Sequence, residues 1–183
     1  MKAIRKLMLA TALAAGATAG IAATTNPMVG GAAMYPTKNI VENAVNSKDH
    51  TTLVAAVKAA GLVDTLSGPG PFTVFAPTNE AFAKLPAGTV DTLLKPENKA
   101  QLTAVLTYHV VPGRITAADI AAKAAQNMGK ATYATVQGET LTFTKSGKGW
   151  WVADDKGHKG RITIPNVMQS NGVIHVIDTV MIP

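Results

Sequence analysis

The side chains best suited to proton transfer or metal binding in this 183-residue chain are four histidines, His50, His109, His158 and His175. No two stand four apart, the spacing that puts paired imidazoles on one helix face for a zinc ion, and no cysteine supplies a thiolate. A metal centre would have to be assembled across the fold, and neither a metal site nor a cofactor motif is read here. His109 and His175 each stand among apolar residues, where a buried imidazole held by hydrogen bonds is expected in preference to a ligand or catalytic base. Ser170 has no Gly-x-Ser-x-Gly elbow around it. In Gly68-Pro69-Gly70 the proline removes an amide donor, so this is no phosphate loop. Asp154 and Asp155, followed by Lys156-Gly157-His158, are read as a solvated loop in preference to a calcium loop. No catalytic residue is assigned, and the expected protein is not an enzyme.

Binding chemistry concentrates in a basic and aromatic hairpin. Lys145, Lys148, Trp150, Trp151, Lys159 and Arg161, with Lys156 and His158 nearby, are the candidate contact surface. Consecutive strand residues point to opposite faces, so at most one of the two tryptophans joins an inner core comfortably. The other is left exposed or lies under a helix. An indole among cations suits sugar stacking and an anionic polysaccharide or membrane surface, and the competing arrangement packs both rings.

Several elements must position these residues. Lys2, Arg5 and Lys6 precede a short apolar run and then small residues, the pattern of a secretory leader over residues 1–23, cut after Ala22 or Ala23. At about 17 residues the stretch is short for a membrane span. Its loss takes the net charge from +6 to about +3, too mild to argue for nucleic acid. Residues 24–35, rich in Gly, Ala, Pro and Thr, read as a flexible linker, and residues 36–183 as one domain, a monomer by preference. Helical periodicity begins at Asn39 and resumes after Asp49, read as a cap, until Gly61. Thr78 caps a helix over residues 80–85, and further helices are expected over 86–94, 96–109 and 120–126, with Asp119 as a cap. From Ala131 the period is two, giving strands near 131–136, 140–144, 150–152, 161–164, 173–177 and 180–182. Helices early and strands late make an α+β order.

Three blocks carry a family likeness: Pro71-Phe72-Thr73-Val74-Phe75-Ala76-Pro77-Thr78-Asn79, Tyr108-His109-Val110-Val111-Pro112-Gly113, and Asn171-Gly172-Val173-Ile174-His175-Val176-Ile177-Asp178. The last opens on a pair suited to a positive-φ turn and continues apolar on both pleat faces, as a strand covered on both sides does. Together they resemble the signature blocks of the fasciclin domain, an extracellular adhesion module. The resemblance implies a wedge-shaped β-sandwich with helices packed along it, and makes Tyr108, His109, Asn171, Gly172, His175 and Asp178 structural signature positions. Ile164-Pro165-Asn166-Val167-Met168 stands where some animal members carry an acidic integrin-binding segment, but its acidic positions hold Ile164 and Asn166, so integrin binding is not carried over. The expected protein is an exported bacterial binding module, periplasmic or extracellular, that adheres to cell-surface or matrix protein or polysaccharide without spanning the membrane. The alternative is a periplasmic binder of a small ligand between the helices and the wedge.

Overall fold

The period change along the chain is visible in the element order of the computed structural model, which describes residues 25–183; the expected leader lies outside them. Helices α1 (Ile40–Ala44), α2 (Thr51–Ala60) and α3 (Val63–Ser67) lead into strand β1 (Phe72–Pro77). Then come α4 (Asn79–Ala83), α5 (Thr89–Leu93), α6 (Lys99–Tyr108), β2 (Val110–Pro112) and α7 (Ala117–Gln126). Strands β3 (Lys130–Ala134), β4 (Thr140–Ser146), β5 (Gly149–Ala153), β6 (Lys159–Gln169) and β7 (Gly172–Ile177) finish the fold. The Thr78 side chain accepts from the Ala81 N–H, and Gly61 ends α2 in the left-handed region at φ 72°. Two caps differ from expectation. Thr116 caps α7, with Asp119 closing the box from the third helical position. Asp49 falls in a single 3-10 turn, Lys48–His50, and a free N–H of α2, that of Thr52, is met at 3.0 Å by the Asn79 side chain from across the fold.

One seven-stranded sheet runs in the order β2-β1-β7-β6-β5-β4-β3, with β1 parallel to β7 and the other pairs antiparallel. Strand β6 bends it: the β6–β7 register shifts on either side of Ile164, and Asn166 takes φ 57°. The bend brings the far ends together, where the Val136 N–H donates to the Val110 carbonyl at 2.8 Å. The result is the wedge-shaped, nearly closed α+β fold that the blocks imply.

Strands β1 and β7 separate two cores, and every residue of β7 is buried. On one side Val74, Ala76, Ile174 and Val176 pack beneath the helices with Leu53, Val57 and Leu106. On the other, inside the wedge, Phe75 and Ile177 meet Phe143, Trp150 and Val152, with Ile120 and Ala124 of α7 against them.

Two expectations fail at the ends. Residues 180–182 form no strand, because their backbone donors go to side chains: the Met181 N–H to His109 Nε2 at 3.0 Å, and the Ile182 N–H to Asp154 Oδ2 at 3.2 Å. Residues 24–35, read as a flexible linker, are anchored at several points between Asn26 and Met34. Val29 and Met34 are buried, and the Asn26 side chain both donates to the Met168 carbonyl and accepts from its N–H, as a strand's backbone would.

Candidate functional site

Alternation along β5 sends Trp151 and Trp150 to opposite faces. Trp150 is buried among Phe143, Val152 and Ile162 inside the wedge, so it leaves the candidate contact surface. Trp151 is half-buried on the outer face, where the register lines up Lys130, Thr144, Trp151 and Arg161 across four strands. Directly paired residues lie about 5 Å apart. The indole therefore has the Arg161 side chain beside it, and Lys130 two strands away. The next row, Thr132, Thr142, Ala153 and Lys159, adds hydroxyls and a further exposed cation. Lys145 pairs with Trp150 and so lies on that residue's face, opposite Trp151, and Lys148 lies in the β4–β5 turn, so neither belongs to these rows. The structure thus groups Trp151, Lys159, Arg161 and Lys130, the last of which sequence reasoning missed because its place depends on strand register.

The signature residues do structural work, and most of it is aimed at backbone. Buried Tyr108 donates its hydroxyl to the Thr140 carbonyl at 3.0 Å and accepts from the Asp155 N–H at 3.3 Å; burial pushes its pKa up to about 12. His109 donates from Nδ1 to the Val105 carbonyl at 2.7 Å, because Nε2 must accept the Met181 N–H. His175 has the reverse tautomer, with Nδ1 accepting from Asn166 N–H at 3.3 Å and Nε2 donating to the Ile115 carbonyl at 2.8 Å. Burial lowers both imidazoles to about 4 against those carbonyl bonds, so both are neutral at pH 7. The Asn171 side chain accepts from Ile40 N–H and donates to the Leu66 and Gly68 carbonyls, tying the β6–β7 turn to α1 and α3. Asp178 accepts from the Arg161 N–H at 2.8 Å.

Gly172 is required for a different reason from the one its dipeptide suggests. Neither Asn171 nor Gly172 has positive φ; instead a Cβ on Gly172 would stand 1.9 Å from the Phe72 carbonyl oxygen. Asp154 also departs from the solvated loop expected of it. Its side chain is buried, accepting from the N–H groups of Lys156, His158 and Ile182 and pairing with His158 Nδ1 at 2.7 Å. Asn166, in the segment compared with an integrin motif, makes the β6 bend, and its side chain accepts from the Ala117 N–H. Arg114 was not singled out from sequence, yet its guanidinium donates to the Gln169, Ser170 and Gly172 carbonyls, clamping the same turn.

His50, named among the histidines but given no role, is buried under the helices with Nδ1 2.8 Å from Ser47 Oγ and no protein partner at Nε2. Its isolated polar company, Ser47-Lys48-Asp49, gave no sign of burial. Among the described residues no cluster of three His, Asp or Glu could hold a metal ion, and no helix is long and apolar enough to cross a membrane.

Comparison with known proteins places this architecture. The model of the fasciclin domain matches residues 48–183. Protein sll1483 of Synechocystis is 52% identical over 157 residues, covering 85% of this chain and 79% of that protein. The cell surface glycolipoprotein MPB83 of Mycobacterium bovis is 33% identical over 92% of this chain, which spans 64% of it. A solved pair of FAS1 domains from the insect cell adhesion molecule fasciclin I superposes with a TM-score of 0.69 at 17% identity, over 78% of this chain and half of that one, a likeness of fold.

Proposed function

The chain belongs to the fasciclin-domain family, and from that premise we propose that it is an exported, non-catalytic binding module that adheres to anionic polysaccharide of the cell surface or matrix. The observation that carries this reading is the outer face of β3–β6. Here Trp151 lies in register between Thr144 and Arg161, with Lys159 and Lys130 nearby and threonine hydroxyls between them. A half-buried indole offers an apolar plane to a sugar ring, while exposed cations attract carboxylate or sulfate groups along the polymer. A rigid sheet holds both at fixed spacing, so recognition needs little ordering of the protein. Kinship with a protein named for the cell surface supports export to that compartment. Residues 1–23 act as the leader in this reading.

The test is binding of the exported protein to immobilised envelope polysaccharide across a salt series. The variant Lys159→Ala/Arg161→Ala is expected to bind more weakly and with a flatter salt dependence. Trp151→Ala is expected to weaken binding with the salt slope kept, since stacking is short-ranged and uncharged. Wild-type binding in both variants would overturn the assignment.

A further inference from the structure

The helix-side core is incompletely filled. Between α1, α2, α3 and the β1/β7 face lies a narrow, apolar cleft of about 50 Å³, lined by Ile40, Leu53, Val57, Leu66, Val74 and Ile174. Half-buried Val54 of α2 also lines it. Aliphatic side chains without an aromatic ring to fill the middle leave this space. Two imidazoles also line it, and they differ in one respect. Both nitrogens of His109 are bonded to protein, whereas Nε2 of His50 is buried without a protein partner. It is the one such buried side-chain nitrogen or oxygen among the described residues. A buried polar atom without a partner is costly, and a ligand atom that satisfies it offsets that cost.

We infer that this cleft is a second binding site, for an uncharged amphiphile with a slim apolar body and one hydroxyl or carbonyl oxygen that accepts a hydrogen bond from His50 Nε2. At about 50 Å³, roughly a third of the ~150 Å³ that takes a benzene ring, the cleft accepts only the end of one alkyl chain and excludes rings. The Ser47 hydroxyl has no other acceptor among the described residues, so its Oγ–H is assigned as the donor to Nδ1 at 2.8 Å, which puts the ring proton on Nε2. The Ala76 carbonyl favours a proton on the ring without meeting Nε2 in hydrogen-bond geometry. Burial lowers the pKa of His50, so the group in the cleft is a neutral donor. A carboxylate would enter apolar walls without a countercharge, which selects against fatty-acid anions. This inference goes beyond the surface-binding reading and does not depend on it, because the Trp151 face and the cleft lie on different parts of the wedge.

The experiment titrates the exported protein with 1-hexanol, 2-hexanone, hexanoate and n-hexane, following backbone amide shifts and the ring ¹⁵N shift of His50. The alcohol and ketone are expected to move Nε2 and the amides around Leu53 and Val57, while n-hexane moves the amides alone and hexanoate binds most weakly. In His50→Leu the ratio of alcohol to hydrocarbon affinity is expected to fall about tenfold, roughly 1.4 kcal/mol. Val54→Trp, which narrows the cleft, is expected to weaken all probes. If His50→Leu does not fold, the wild-type Nε2 shift still decides. The inference is overturned if no probe binds, if the Nε2 shift responds equally to alcohol and alkane, if the alcohol-to-alkane ratio survives in His50→Leu, or if binding survives in Val54→Trp. Each of these outcomes leaves polysaccharide binding at Trp151 untouched, so the two readings fail separately.

Discussion

The two faces of β1 and β7 carry cores of opposite character. Toward the wedge interior, Phe75 packs 4.9 Å from Phe143 and stacks at 5.4 Å on His175, with Tyr108 and Trp150 completing an aromatic core. Beside it, both ring nitrogens of His175 are engaged, as are those of His109 where it borders the helix-side cleft. One residue earlier and later on the same strands, Val74, Ala76, Ile174 and Val176 face the helices, where aliphatic packing leaves a cleft and His50 keeps an unmatched nitrogen. Large planar side chains fill irregular space and fix polar partners; small branched ones beneath short helices do not. The sealed side acts as scaffold, and the slack side is where a ligand gains something by binding.

The comparison can be broken most severely at the seam between the cores. Gly172→Ala is expected to abolish folding or cost more than about 4 kcal/mol, since a Cβ 1.9 Å from the Phe72 oxygen forces β7 off β1. Circular dichroism and a urea titration measure it, and a variant as stable as wild type would refute the close approach.

Acid should act next. His109 and His175 have folded pKa values of about 4 against an ordinary 6.5, chiefly through burial, so the unfolded chain takes up protons that the folded chain refuses. Stability is therefore complete above about pH 6.5 and falls as the pH drops toward 4, by about 3 kcal/mol per histidine on the order-of-magnitude scale of 1.4 kcal/mol per pKa unit. Urea midpoints between pH 4 and 7 test this, and a flat profile would contradict it. At neutral pH, His175→Ala strands the Ile115 carbonyl and the Asn166 N–H and removes the stack on Phe75, at a cost of about 3 kcal/mol.

The contrast is sharpened by the smaller result at His50. His50→Leu deletes an unpartnered nitrogen but also strands the buried Ser47 hydroxyl, so the two effects offset and stability is expected to fall by no more than about 1 kcal/mol. A loss as large as that of His175→Ala would show the helix-side core to be as tightly matched as the wedge interior. The smallest effect belongs to the surface: Lys159→Ala and Arg161→Ala should leave the melting temperature within a degree or two while altering polymer binding, because both side chains are exposed.

Much was legible in the chain itself. The change from helical to strand periodicity near Ala131, the cap at Thr78, the stop at Gly61 and the doubly buried run at Val173 are local signals, and local sterics and burial decide them. The same alternation told that Trp150 and Trp151 must part company. Which of them faces inward depends on the strands beside β5, so sequence left it open.

What tertiary structure alone decided are contacts between residues far apart in the chain. Gly172 looked like turn chemistry, yet the constraint on it is the neighbouring strand 100 residues earlier. Asp154 looked like a solvated loop until the returning C-terminal segment covered it, and residues 180–182 lost their strand because Asp154 and His109 took their backbone donors. Lys130 joined Trp151 and Arg161 through register, and His50 was buried by helices that share no pattern with it. Periodicity reports which face of an element is apolar. It carries no information on which distant group will arrive there, because that pairing is settled by the packing of the whole wedge.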